Sequence, residues 1–398
     1  MVAVAREFAE DAIGSSNGRS KGFSTSFPLT FLAIFPIVLS ACTLVVSTPS
    51  PACSLVVLSA DGETVFGQNL DWHETFPGCV VVNKRGVKKT ILPWKGNWPM
   101  PWDGENLSWI SRYGSVTLTC YGRDFIEGGM NEAGLMVDET NLTAVYPPVD
   151  HRPGVSCAQW MQYQLDNFAT VTELLDHLND LRPDGEGWHY LVADARGDCA
   201  VIEYLNGEAQ IYPGDAVEVC ALTNTTYRQA LSHISLDTAF GGEIDIAAGN
   251  DSYARFVRIA ALIRDYQPVD DGQLADYAFH ILDDVSCGDT RRSVVYDAGC
   301  GRILWRTQNN QHVRWLELEN LDFSAGSPTK ILDVDAGGAG NASALLVTYT
   351  VDANRAIVDG VFEGSRRNSE VIPELERREL TLDRALELIA RHPTLLEK

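Results

Sequence analysis

Cys53 stands where an apolar leader meets the first strand-like run, and that placement constrains the fold more than any other feature of the chain. The join reads Ser50-Pro51-Ala52, then Cys53-Ser54-Leu55-Val56-Val57-Leu58. Small residues one and three positions before a bond are what a signal peptidase accepts, so cutting there leaves a cysteine as the new amino terminus. One residue then carries both a thiol and a free α-amine with a reference pKa of roughly 7.7 to 8. A useful fraction of that amine is unprotonated at neutral pH and can take the thiol's proton. Such a residue is a nucleophile with its own base, and a fold that uses it has to present the start of its first strand to substrate. The alternative, from this feature alone, is a buried or disulfide-bonded structural cysteine.

With 398 residues, 45% of them hydrophobic and 21% charged, the chain has ordinary globular composition and room for a large core. Its 31 Lys plus Arg stand against 54 Asp plus Glu. That balance argues against a nucleic-acid partner, which needs a basic face. Residues Phe27 to Val46 form a mostly apolar run preceded by Arg19 and Lys21, which reads as an export signal, although Glu7, Glu10 and Asp11 make the segment before it acidic. Leu39-Ser40-Ala41-Cys42 has the form of a lipoprotein box, which makes lipidation of Cys42 one alternative and an uncleaved anchor another. No later segment is long and apolar enough to span a bilayer. Besides Cys42 and Cys53 there are seven cysteines, at 79, 120, 157, 199, 220, 287 and 300. In an exported protein these suggest disulfides with at least one thiol left over, and the pairing is not legible.

After Cys53 the pattern is short β-branched runs and turns. Residues 53 to 59, an Asp61-Gly62 turn and a return run from 64 read as a hairpin. Further strands are expected at Val80–Asn83, Ser115–Cys120, Gly134–Glu139, Tyr190–Ala193, Ala200–Leu205, Ala209–Tyr212, Val217–Thr223, Ser293–Asp297, Ile303–Thr307 and Val313–Leu318. Helices are expected over Cys157–Asn167, after a Thr170 cap, and over about 253–264 and 272–283. Strands bracketing helical pairs suggest layered sheets with helices outside.

Several residues on this frame can carry chemistry. Gly67-Gln68-Asn69-Leu70-Asp71-Trp72 ends the return strand, so Asp71 comes back to the level of Cys53, where a carboxylate orients the amine and stabilises its ammonium form. A turn or cap aspartate is the alternative. Asn141 ends a strand that follows the turn-forming Gly128–Leu135, and Asn224 closes Leu222-Thr223-Asn224. Both are turn formers by default, but an amide is also a neutral donor suited to an oxyanion. Both also lie in Asn-x-Thr sequons. Arg255 and Arg258 lie three apart on one helical face, either as surface charges or with one of them buried beside Cys53 to favour its thiolate. Trp94, Trp98, Trp102 and Trp109 suggest an apolar lid for an acyl group, or plain loop packing. His73-Glu74 lacks the spacing of a metal motif, and no histidine has a clear cysteine partner.

Taken in order, these pieces resemble the choloylglycine hydrolase and penicillin V acylase family of N-terminal-nucleophile hydrolases, over residues 53 to about 322. Gly67-Gln68-Asn69-Leu70-Asp71 is similar to the family's G-R-N-M-D, Asn131-Glu132-Ala133-Gly134-Leu135 to its N-E-x-G-L, Leu222-Thr223-Asn224 to its L-T-N, and Ala254-Arg255-Phe256-Val257-Arg258 to its S-R-F-V-R. The resemblance implies an α+β fold, a four-layer αββα sandwich, with nucleophile Cys53, amine partner Asp71, oxyanion donors Asn141 and Asn224, and Arg255 beside the thiolate. It departs at Gln68, where the family's bile-salt and penicillin enzymes carry arginine.

The expectation is an exported cysteine amidohydrolase, periplasmic or extracellular, that cleaves a linear non-peptide amide of a small N-acyl substrate through a thioester. No metal or organic cofactor is expected. Residues 1–52 form a removed leader or propeptide, 53–365 the catalytic domain and 366–398 a helical appendage with a solvated charged face. Acyl transfer from the same thioester is the alternative within enzymes. An inert binding protein anchored through lipidated Cys42 is the alternative outside them.

Overall fold

The computed structural model describes residues 53–75, 77–95, 98–99, 107–185, 187–267, 274–363 and 380–392. The leader with Cys42, Trp102 and part of the 366–398 segment lie outside the described residues.

The first hairpin forms as its sequence requires. Strands Ser54–Ala60 and Glu63–Asp71 pair antiparallel with Ser54 opposite Asn69. Asp61 and Gly62 both take positive φ, 52° and 84°, the backbone that a two-residue turn needs to match strand twist. Around this hairpin a seven-stranded sheet runs Ala221–Leu222, Ser54–Ala60, Glu63–Asp71, Thr290–Asp297, Arg302–Thr307, Arg314–Glu317 and Gly340–Asn341. A nine-stranded sheet runs Glu208–Pro213, Cys199–Leu205, Trp188–Ala193, Met136–Asn141, Gly128–Asn131, Ser115–Thr119, Cys79–Asn83, Lys330–Asp333 and Val347–Thr348.

Each sheet carries helices on one face. Ser252–Asp265 and Leu274–Asp284 pack on the first sheet, and Cys157–Asn167 packs on the second. Strands such as Glu63–Asp71 are therefore buried on both faces. One large core lies in and around the first sheet, with Leu55, Phe66, Met130, Phe256 and Leu282 among its members. A second lies under the outer helices of the nine-stranded sheet, around Trp160, Leu174, Tyr190 and Leu386. The result is the four-layer αββα sandwich. Gly67 marks how closely its layers approach, since a Cβ there would meet Leu282 Cδ1 at 3.3 Å and Val56 Cγ1 at 3.1 Å.

Several local expectations need correction. Gly128–Asn131 is a strand rather than part of a turn; its two neighbours in the sheet define it, which a Gly-Gly pair does not reveal. Of Val217–Thr223, only Ala221–Leu222 pairs as a strand. Lys330–Asp333, beyond the last expected strand, continues the nine-stranded sheet. One disulfide, Cys199–Cys220, ties that sheet to the segment leading into Ala221–Leu222. Cys53, Cys79, Cys120, Cys287 and Cys300 carry thiols outside that disulfide.

The described part of 366–398 is a helix, Leu382–Arg391, with a Thr381 cap. Leu382, Ala385, Leu386, Ile389 and Ala390 recur at helical spacing and are buried. The helix packs against Val351–Phe362 and its charged face carries Glu387, which pairs with Arg355. This helix is built into the second core rather than standing off it.

Candidate active site

Cys53 opens the first strand at 3% exposure, and its Sγ donates to the Asp71 carbonyl oxygen at 3.8 Å. The hairpin register therefore does return Asp71 to the level of the cysteine. Burial pushes the thiol well above its ordinary pKa, and the carboxyls of Glu139 and Asp71 push the same way, against Arg255 and the Asp71 carbonyl contact. The sulfur needs a base at neutral pH.

Asp71 is fully buried, and neither carboxyl oxygen closes a hydrogen bond of good geometry with a described residue. Burial raises its pKa to about 6, while Thr290, Arg255 and Cys287 beside it pull the other way. A buried carboxyl without a firm partner is costly to a fold, by about 1–3 kcal/mol or more when charged. Its place beside the candidate nucleophile gives it a reason to be there.

The Ser252–Asp265 helix starts at an Asp251 cap and separates the two arginines. Arg258 faces outward and pairs with Asp284 at 2.9 Å. Arg255 is buried, and its Nη1 donates to the Cys53 carbonyl at 2.6 Å and to Ser54 Oγ at 2.7 Å. Its Nη2 donates to Asn224 Oδ1 at 2.9 Å, and Asn224 Nδ2 donates in turn to the Asn141 carbonyl at 3.0 Å. Arg255 thus ties the start of the first strand to both asparagines. The five residues singled out in the sequence converge on one place. An amide NH₂ has two hydrogens, and Asn224 uses one on Asn141.

Four supporting residues are not legible in the sequence. His189 and Glu203 lie on adjacent antiparallel strands, and His189 Nδ1 meets Glu203 Oε1 at 3.0 Å in the interior. The imidazole Nε2 contacts the Thr223 carbonyl at 2.7 Å, while Glu203 also accepts from Tyr227 N at 2.8 Å. This pair fixes the turn that carries Asn224. Thr140 Oγ1 also donates to the Thr223 carbonyl at 2.9 Å. Glu139, two residues before Asn141, is buried and acts electrostatically on Cys53. Only the sheet register brings these groups in; their spacing in the sequence carries no signal.

Gln68 is turned away from a role in charge. Its Nε2 donates to Asp138 Oδ1 at 2.7 Å, and Asp138 also accepts from Tyr296 Oη at 3.0 Å. Asn69 is structural, donating to the Leu282 carbonyl at 2.7 Å and accepting from Ser293 Oγ at 2.7 Å. The tryptophans divide. Trp109 is buried with its Nε1 on Asp166 at 2.9 Å, whereas Trp94 and Trp98 reach Phe125 and Phe362, with ring centroids 5.8 Å apart in each pair. Among the described residues no set of three His, Cys, Asp or Glu side chains converges to hold a metal.

Residues 53–331 match the family model of linear amide C–N hydrolases, choloylglycine hydrolase family. A penicillin V acylase of Pectobacterium atrosepticum is 27% identical, over 57% of this chain and 72% of that protein. The solved structure of penicillin V acylase from Agrobacterium tumefaciens superposes with a TM-score of 0.65 at 26% identity, covering 75% of this chain and 98% of that one. A variant of conjugated bile acid hydrolase from Clostridium perfringens shares the fold at a TM-score of 0.58 and 17% identity, over 72% and 98% of the respective chains.

Proposed function

The chain belongs to the linear amide C–N hydrolases of the choloylglycine hydrolase family, a hydrolase of non-peptide amides, and from that premise we propose that Cys53, freed as an amino terminus, is its nucleophile. On this reading residues 1–52 are removed on export, to the periplasm or beyond the cell. The α-amine of Cys53 accepts the thiol proton, and Asp71 stabilises the resulting ammonium. The thiolate attacks the amide carbonyl. The remaining Asn224 hydrogen and a donor at Asn141 hold the oxyanion, and Arg255 positions the strand end and Asn224 together. The ammonium returns its proton to the departing amine as the C–N bond breaks, leaving a thioester. Water gives its proton to the same amine and attacks the thioester, the C–S bond breaks to release the acid, and the ammonium returns the proton to the Cys53 sulfur.

The observation that carries this reading is the Asp71 carboxyl, buried beside Cys53 without a firm partner. A new ammonium on Cys53 would stand beside that carboxyl, where Arg255 acts on it only through space. Penicillin V and conjugated bile acids, named for the relatives, are the first substrates to assay. Gln68, engaged by Asp138, brings no positive charge to the site.

The test is hydrolysis of a panel of N-acyl amides by wild type and by Cys53→Ala. The wild type is expected to accumulate a covalent acyl adduct on Cys53, seen by mass spectrometry after a quench. The variant is expected to lose turnover by at least about a thousandfold, the scale on which an enzyme loses its nucleophile, with an unchanged thermal midpoint. Near-wild-type turnover by Cys53→Ala would remove the assignment.

A further inference from the structure

Asp71 has a cross-strand neighbour that regular pairing does not give it. Along the ladder between Glu63–Asp71 and Thr290–Asp297, Ser293 pairs with Asn69 and Arg292 with Leu70. One more regular step sets Arg291 opposite Asp71. The register slips there instead, and Thr290 is the partner of Asp71. A bulge of this kind inserts one extra residue, re-aims the side chains around it, and is frequent next to active sites.

Its effect here is to exchange a cation for a neutral donor. Arg291 is engaged with the segment that follows Asp71: its Nη2 donates to the His73 carbonyl at 2.9 Å and to Asp289 Oδ1 at 3.1 Å, and its Nε to the Glu74 carbonyl at 3.2 Å. Its Nη1 donates to Gln308 Oε1 at 2.6 Å. Neither Asp71 oxygen closes a hydrogen bond with it. Thr290 Oγ1 accepts from the Cys287 backbone N–H at 2.9 Å, and its own hydrogen goes only to the Cys287 sulfur at 3.9 Å, a weak acceptor. That hydrogen is free to turn to the carboxyl while the oxygen keeps its bond to the turn. A hydroxyl donor favours the charged carboxylate and leaves it without a bonded cation. An arginine bonded there would take the place that an ammonium on Cys53 needs.

We propose that Thr290, set opposite Asp71 by the bulge at Arg291, is a positioning residue whose hydroxyl holds the Asp71 carboxylate for the ammonium of mature Cys53. The proposal rests on the reading of Cys53 as a freed amino-terminal nucleophile.

The mature enzyme, beginning at Cys53, is alkylated with iodoacetamide across acid and neutral pH, and modification of Cys53 is followed on its amino-terminal peptide by mass spectrometry. Alkylation needs the thiolate. The thiolate pairs with the ammonium and the ammonium with charged Asp71, so the rate falls as Asp71 takes up a proton. Glu139, Arg255, Cys287 and Asp289, the other charged or titratable groups acting on the thiol or the carboxyl, are the same in every Thr290 variant. Thr290→Val keeps the shape and removes the donor. It is expected to move the midpoint of the fall up by about one to two pH units, the equivalent of a lost hydrogen bond to a charged group. Thr290→Ala is expected to move it the same way, and Thr290→Ser to restore the wild-type midpoint. Thermal melts establish which variants are folded. A rate changed by one factor at every pH, with the midpoint in place, would make Thr290 a support of its own turn only and overturn the proposal. Asp71→Asn separates that failure from a wider one, because it is expected to remove the acid step altogether. If it does so while the Thr290 variants keep the wild-type midpoint, the nucleophile reading stands without the positioning role. A wild type whose Cys53 reacts as an ordinary thiol, with a profile that Asp71→Asn leaves unchanged, would overturn both.

Discussion

Burial raises the Asp71 carboxyl from its ordinary 3.8 to about 6, which disfavours its charged form by roughly 3 kcal/mol at neutral pH. An acid whose folded pKa lies above its unfolded one binds protons more tightly when folded, so stability present below about pH 4 is lost as the pH rises through about 6. In the uncut chain Asp71→Asn should therefore stabilise by up to roughly 3 kcal/mol at pH 7 and by little at pH 4, as read from urea denaturation at the two pH values. An equal gain at both would mean that the carboxyl's charge is not the cause. In the mature enzyme the same substitution should slow hydrolysis at least about tenfold, since the ammonium loses its partner. Asp71 could be placed from the sequence because a two-residue Asp61-Gly62 turn fixes the register of the hairpin, Ser54 against Asn69. Arg255 could not be separated from Arg258 in that way, because helical spacing puts both on one face and only the packing of the helix buries one. His189 and Glu203 were out of reach for a stronger reason: they meet through cross-strand pairing inside a nine-stranded sheet.

Among the elements, long or cleanly punctuated ones were legible and short ones were not. The Thr170 cap was identified, and its side chain accepts from Glu173 N. Gly128–Asn131 and Lys330–Asp333 are four residues each, too short to carry a period of their own, and exist because neighbouring strands pair with them. The C-terminal helix Leu382–Arg391 is a longer element whose second, apolar face matters as much as its charged one. Its charges drew attention to one face while Leu382, Leu386 and Ile389 buried the other. Leu386 is fully buried in the second core, so Leu386→Ala should cost about 2–5 kcal/mol. A drop of less than about 0.5 kcal/mol in chemical denaturation would place the helix outside the cooperative core.

At the scale of the whole molecule, the site is assembled from segments far apart in the chain, at 53, 71, 141, 224 and 255, and it forms because two sheets and one helix meet at the start of the first strand. Composition and period gave the layers, and the motif order gave the family. The connections between layers, including the Cys199–Cys220 disulfide, come from the packing alone. In this arrangement the strand end at Cys53 is already bound on its carbonyl side by Arg255 and lies beside the buried Asp71 carboxyl, whose oxygens close no hydrogen bond with a described residue. Cutting the chain at that point would complete the site without rebuilding it. Amino-terminal sequencing of active enzyme purified from its natural host, read alongside its turnover, tests this most directly. The account requires the active fraction to begin at Cys53; full activity in protein that still carries residues ahead of Cys53 would contradict it.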